Sequence, residues 1–242
     1  MMDKGDIDDI LDGGAPHKVD PAVLSRVSAS MTASMAPVRP LPPVWMIASW
    51  LLMLSLALSV AFASVLGLDG IRNLDGAEIG AIFPLLAILC WLTALQSAAQ
   101  MTPGGTRWKN PLVMEPVMTN PIALLLVVCV CWLAIDALFF KDYQMGAFVP
   151  QGIPCLRAGL IVAIPAGIGS WLLLRRGFAV NRTGAGVAAG TLAGIAGLTM
   201  LELHCKNFLA PHVMVWHTAV VPISALVGAL LARLLTRMTR SS

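Results

Sequence analysis

The chain has 242 residues, a net charge of +3, 57% apolar residues, only 12% charged ones, and a mean hydropathy of +0.80. A soluble domain carries about a quarter charged residues and under half apolar ones, so lipid must solvate much of this chain. No run of bases interleaved with aromatics appears, which argues against a nucleic-acid partner.

Residues 1–20 are polar and acidic, which excludes a cleavable signal peptide at the start. The first apolar stretch begins near Val44 and reads as a retained signal anchor. The preceding arm, residues 1–43, holds six acids against four bases. Two apolar clusters stand out in it. Ile7, Ile10 and Leu11 lie within the acidic stretch, and Val23, Leu24, Val27, Met31 and Met35 recur at helical spacing. Asp20 is the expected N-cap of that second helix and Pro21 its first residue. So short a helix is marginal in water unless its stripe is covered. It could rest on the membrane or on the inner loops. A membrane-lying helix usually has a basic polar face, whereas this one is Ser-rich with the single base Arg26 and an acidic upstream neighbour. A cytoplasmic partner with a basic surface fits better, by helix-in-groove docking. Pro37, Pro40, Pro42 and Pro43 make a stiff connector to the membrane.

A bilayer core of about 30 Å needs about 20 apolar residues in a helix. Six segments qualify, at 44–66, 79–99, 121–140, 156–174, 184–203 and 213–232. The expected fold is all-α: a polytopic bundle of six transmembrane helices over 44–232, with the N-terminal cytoplasmic arm 1–43 and a basic tail 233–242. Lys/Arg bias in short loops sets orientation. With the N-terminus inside, the inner side receives Arg39, Arg107, Lys109, Arg175, Arg176, Arg182, Arg233, Arg237 and Arg240. The outer side receives Arg72, Lys141, Arg157 and Lys206. Nine against four places both termini in the cytoplasm.

Cys90, Cys129 and Cys131 fall inside spans and read as small apolar residues. Cys155 begins the fourth span and Cys205 follows the fifth. These spans are consecutive and antiparallel, so both thiols reach the same outer boundary. In an oxidising compartment two such thiols can form a disulfide or share a soft metal ion. Three of the four histidines, His204, His212 and His217, crowd the same region, and Glu202 lies one turn below Cys205. Thiolate and imidazole together suit copper, zinc or cadmium. A disulfide staple between two helices, with interfacial histidines as anchors, would account for the same residues. Gly186, Gly190 and Gly194 form a small-residue ridge on span five that another helix can approach closely, and a homodimer through it stays open. Asp136, in span three, lies near Lys141 and within reach of the outer edge. No HExxH, P-loop or GxSxG element occurs, so the expectation is a non-enzyme.

Three further elements carry a resemblance. They are Pro37-Val38-Arg39-Pro40-Leu41-Pro42 before span one, Pro154-Cys155-Leu156-Arg157-Ala158-Gly159-Leu160 leading into span four, and Leu203-His204-Cys205 followed by Val215-Trp216-His217. Together they resemble the NrsF-type six-span anti-sigma factors of proteobacteria, over nearly the whole chain. The resemblance implies an inner-membrane protein that sequesters an extracytoplasmic-function (ECF) sigma factor at its cytoplasmic arm. It also implies that the two outer cysteines, here Cys155 and Cys205, sense metal or oxidative stress and release the sigma factor. It does not assign the arm contacts; Ile7, Ile10, Leu11, Val23, Leu24, Val27 and Met31 are the physical choice. No cofactor is required on this reading beyond a regulatory soft metal ion at the thiols. Two rivals are a small metal or solute transporter, which needs polar groups through the midplane, and a membrane thiol redox protein.

Overall fold

The computed structural model describes residues 20–34, 41–102, 119–145, 148–175, 177, 179 and 181–241. Ile7, Ile10, Leu11, Met35, Pro37, Arg39, Arg107, Lys109 and Arg176 lie outside the described residues. The chain divides into two compact units, Met1–Pro40 and Leu41–Ser242.

In the first unit, α1 spans Pro21–Ser34. Asp20 caps it as its sequence demands: its Oδ1 accepts the Ala22 N–H at 2.8 Å and its carbonyl accepts those of Val23 and Leu24. Pro21 loses nothing at the first position, where the N–H would have no helical partner. Val23, Leu24, Val27 and Met31 are all exposed on this helix.

The second unit is all-helical among the described residues. It comprises α2 (Val44–Leu66), α3 (Asp69–Asn73), α4 (Gly76–Gln100), α5 (Pro121–Phe139), α6 (Phe148–Leu174), α7 (Arg182–His204), α8 (Ala210–His212) and α9 (Thr218–Ser241). A π-helical turn, Val213–His217, joins α8 to α9 without a break. Among the described residues, six helices are long and apolar enough to cross a membrane: α2, α4, α5, α6, α7 and the continuous segment Ala210–Met238. Closed helical hydrogen bonding is what lets backbone sit in lipid.

Side-chain caps set several starts. Asp75 and Glu78 form a reciprocal capping box on α4, with N···O distances of 2.7 and 2.8 Å. Asn120 caps α5 ahead of Pro121, and Asn181 accepts the Gly184 N–H at the start of α7. Two spans differ from the hydropathy reading by more than three residues at one end. The fourth span begins at Phe148 rather than 156 and continues helical through Pro154. The sixth begins at Ala210, and its helix runs on to Ser241, so Arg233 and Arg237 ride on the span itself.

One helix is the axis of the bundle. Of the most apolar stretch of α7, 89% is buried, against 22–39% for the other five spans. The sequence explains this position. α7 has no large aromatic and is built from glycine and alanine, so neighbouring backbones can close on every side. A Cβ at Gly186, Gly190 or Gly194 would land on the backbone of Gly228, Ser224–Ala225 or Val221 in α9. Gly197 meets the Gly159 carbonyl of α6 in the same way. The ridge is therefore filled by α9 of the same chain, which removes it as a surface for a second copy. Ser59 of α2 adds a hydrogen bond to the Ala196 carbonyl at 2.7 Å. Large apolar residues such as Ile161, Ile164, Leu126, Val130 and Leu138 face outward, as lipid contact requires.

Candidate functional site

The ends of α6, α7 and α8, with the π turn, converge at one end of the bundle. Cys155 sits in the second turn of α6 and is half-buried. Cys205 is the C-cap residue of α7, its N–H still bonded to the Leu201 carbonyl at 2.7 Å, and its side chain is buried. The two Sγ atoms are 3.3 Å apart, and both cysteines are free thiols. Cys205 Sγ lies 3.5 Å from His212 Nε2.

The π turn brings the second histidine in. Residues five apart on an α-helix are separated by roughly 140° of rotation, so His212 and His217 would face different neighbours. The wider turn, with i→i+5 hydrogen bonding such as Thr218 N–H to Val213 carbonyl, returns His217 to the same side. Their rings meet edge to face with centroids 5.3 Å apart. Gly152 of α6 gives room to the Trp216 indole, where a Cβ would overlap the ring, and Phe148 packs on its side at 5.4 Å. This contact fastens the π turn to α6.

One ligand atom from each of Cys155, Cys205, His212 and His217 can be chosen so that all four lie within 4.8 Å of one another. Two sulfurs and two imidazole nitrogens are a tetrahedral donor set for zinc or another soft ion. A cavity of about 990 Å³ opens onto Cys155, Cys205 and His212, with Gln151, Lys206 and Asn207 on its walls. His217 lies behind them and is fully buried. The loop over the site is tied down by Asn207 Nδ2 donating to Gln151 Oε1 at 2.6 Å.

His204 does not join the cluster. It precedes Cys205 by one residue and so points to another side, where its Nδ1 is 3.0 Å from the Gly67 carbonyl oxygen. Gly67 turns the chain out of α2 at a φ of 113°. Nearby, Lys206 bonds Asp69 at 2.9 Å, and that hydrogen bond first, then the positive charges around it, holds the Asp69 carboxyl below the usual carboxylate range. The Cys205 thiol is displaced the other way. Its hydrogen bond with Cys155, then burial, raises it above the ordinary thiol value, against the pull of His212 and His217.

Two carboxylates complete the site. Glu202, three residues before Cys205 on the same face of α7, places Oε1 2.6 Å from Nδ1 of His217 with both side chains fully buried. Asp136 was expected to reach the edge of the bundle; instead it is fully buried, with neither carboxylate oxygen hydrogen-bonded. The reason lies in α5, where Leu124, Val128, Trp132 and Asp136 recur every four residues as one inward stripe. Asp136 interacts electrostatically with Glu202 and His217. That i+4 stripe was the available signal for its burial. Cys90, Cys129 and Cys131 are outside the four-ligand cluster.

Fold and site together define an all-helical, multi-pass membrane protein with a thiol–imidazole site at one end of its bundle. A family model described as NrsF, negative regulator of sigma F, matches residues 31–238. The chain belongs to this family. No curated protein and no solved structure matches it. Residues 1–30, including most of α1, fall outside the family match.

Proposed function

We propose that this protein is a membrane-bound anti-sigma factor of the bacterial inner membrane, holding an ECF sigma factor at its cytoplasmic arm and releasing it when metal or oxidant engages the thiol–imidazole site. The family description, negative regulator of sigma F, supports the sigma-factor partner. The nine-to-four distribution of Lys and Arg supports termini in the cytoplasm and the thiol end in the periplasm. The observation that carries the sensing half is the convergence of Cys155, Cys205, His212 and His217 within 4.8 Å.

The bundle suits transmission between the two sides. An ion or a new disulfide at the site acts at once on α6, the end of α7 and the π turn, and α7 packs backbone to backbone against α9 along its length. Interfaces this close shift between discrete arrangements rather than deform smoothly. Moving the sigma-bound population from 99:1 to 1:99 takes ~5.5 kcal/mol of differential binding. A metal–thiolate site can supply that; one histidine protonation cannot.

The test is a sigma-dependent reporter in cells carrying Cys155→Ser, Cys205→Ser, or the arm deleted. Arm deletion should leave the reporter constitutively on, and either serine variant should abolish induction by metal or oxidant. Normal induction in both serine variants would refute the sensing role, and an unchanged reporter without the arm would refute arm-mediated sequestration.

A further inference from the structure

Glu202 is a carboxylate sealed inside a membrane bundle, and the thiol site explains it. A buried ion pair is a poor stabiliser of a fold, because desolvation offsets the attraction, and a pair of apolar residues of similar size often does as well. Intramembrane ionisable groups instead mark function. Glu202 spends one oxygen on His217 Nδ1 at 2.6 Å, and its other oxygen, Oε2, has no hydrogen-bond partner. His217 Nε2, on the far side of the ring, is buried and makes no hydrogen bond of normal geometry, while the ring also interacts with the Cys205 thiol. A histidine whose Nδ1–H is taken by a carboxylate has its Nε2 lone pair fixed in direction. Metal-binding histidines are oriented in this way, by a carboxylate behind the ring.

Two of the ligand-atom separations lie near those of a tetrahedral ion site. For Zn–S near 2.3 Å and Zn–N near 2.0–2.1 Å, a tetrahedron has edges of about 3.8 Å between sulfurs and about 3.5 Å between sulfur and nitrogen. The thiols stand 3.3 Å apart, and Cys205 Sγ is 3.5 Å from His212 Nε2. Two thiolates neutralise a divalent ion, and the Glu202 carboxylate behind His217 disfavours a net positive charge less than an apolar wall would. A monovalent ion gains less from the same negative surround.

We infer that Glu202 is a positioning residue for a tetrahedral divalent ion, such as Zn²⁺ or Cd²⁺, held by Cys155, Cys205, His212 and Nε2 of His217. This rests on the site being a metal sensor, as proposed above, and narrows its input from metal or oxidant to a divalent metal ion.

The experiment titrates Cd²⁺ against a competing chelator into the reduced full-length protein in nanodiscs, reading the ultraviolet thiolate-to-cadmium absorbance. Wild type should bind one ion through that band, with Cys155→Ser losing it. Glu202→Leu should weaken binding tenfold to hundredfold, the range found for groups that orient metal ligands, and Glu202→Gln should fall between. The ion-free Glu202→Gln protein, which keeps an acceptor for His217 Nδ1, should melt close to wild type, which separates positioning from folding. In a His217→Ala background, adding Glu202→Leu should change nothing further. Asp136→Asn alters a neighbouring buried carboxyl that makes no hydrogen bond to the site, and should cost less affinity than Glu202→Leu. Absence of a thiolate band in wild type would sink the metal reading itself. A normal band with unaltered affinity in Glu202→Leu, or an undiminished loss in the His217→Ala background, would overturn the role of Glu202 alone.

Discussion

Cys155 and Cys205 touch each other yet occupy different surroundings. Cys155 is half-buried at the wall of the cavity, whereas Cys205 lies deeper, its thiol held above the ordinary value by Cys155 and by burial. Thiolate is the reactive form, so a raised thiol is slower at neutral pH and gains reactivity as pH climbs past the ordinary value of 9.0. A polar maleimide applied to the reduced protein in nanodiscs should therefore label Cys155 first. Labelling of Cys205 should lag at pH 7 and accelerate with alkali, as read by peptide mass spectrometry. Equal rates at pH 7 would contradict the described environment. The juxtaposition of these two residues was legible in the sequence, because antiparallel neighbouring spans bring their ends together. His212 and His217 were legible as neighbours of the site. His204 was misjudged because proximity in sequence to Cys205 says nothing of direction; adjacent positions at a helix end point about 100° apart. Glu202 shared a face with Cys205 at a spacing of three, but its tie to His217 required knowing how α7 and the π turn meet.

At the scale of elements, the π turn Val213–His217 is the device that puts two histidines five residues apart on one side. The sequence carries no composition signal for it. Nor does the five-residue spacing of His212 and His217 announce it by itself. Deleting Met214 should relax the turn to α-helical and leave the two histidines four residues and roughly 40° apart, still on one side. The variant should keep its helical content by circular dichroism and retain most of its affinity for Cd²⁺; loss of affinity would show that the π turn itself, and not the shared face it restores, is required. The six spans themselves were all read, most of their ends to within three residues, since a membrane leaves a long apolar signal that no packing detail can hide. Two ends escaped. The fourth span, expected from 156, starts at Phe148, and a proline six residues into the helix is tolerated when neighbouring elements satisfy the freed carbonyl. Arg233 and Arg237 suggested a tail, yet long basic side chains can reach the interface from a continuing helix.

For the whole molecule, the small-residue helix α7 sits at the centre, bounded by the thiol site at one end and by Arg182 and its Asn181 cap at the other. The glycines of α7 looked like a surface for a second copy when read in the sequence. Their occupation by α9 and α6 makes them the internal contacts of a single bundle. The arm is the part the family match reaches least, beginning as it does at residue 31. Its exposed stripe of Val23, Leu24, Val27 and Met31 is proposed as sigma-contacting surface on physical grounds, with Ile7, Ile10 and Leu11 upstream. The central claim is that the thiol site governs the hold of the arm on its sigma factor. It is tested most directly by immobilising the full-length protein in nanodiscs with bound sigma factor and adding Cd²⁺ on the thiol side. Wild type should release the sigma factor while Cys155→Ser retains it at every ion concentration; release from both alike, or from neither, would contradict the account.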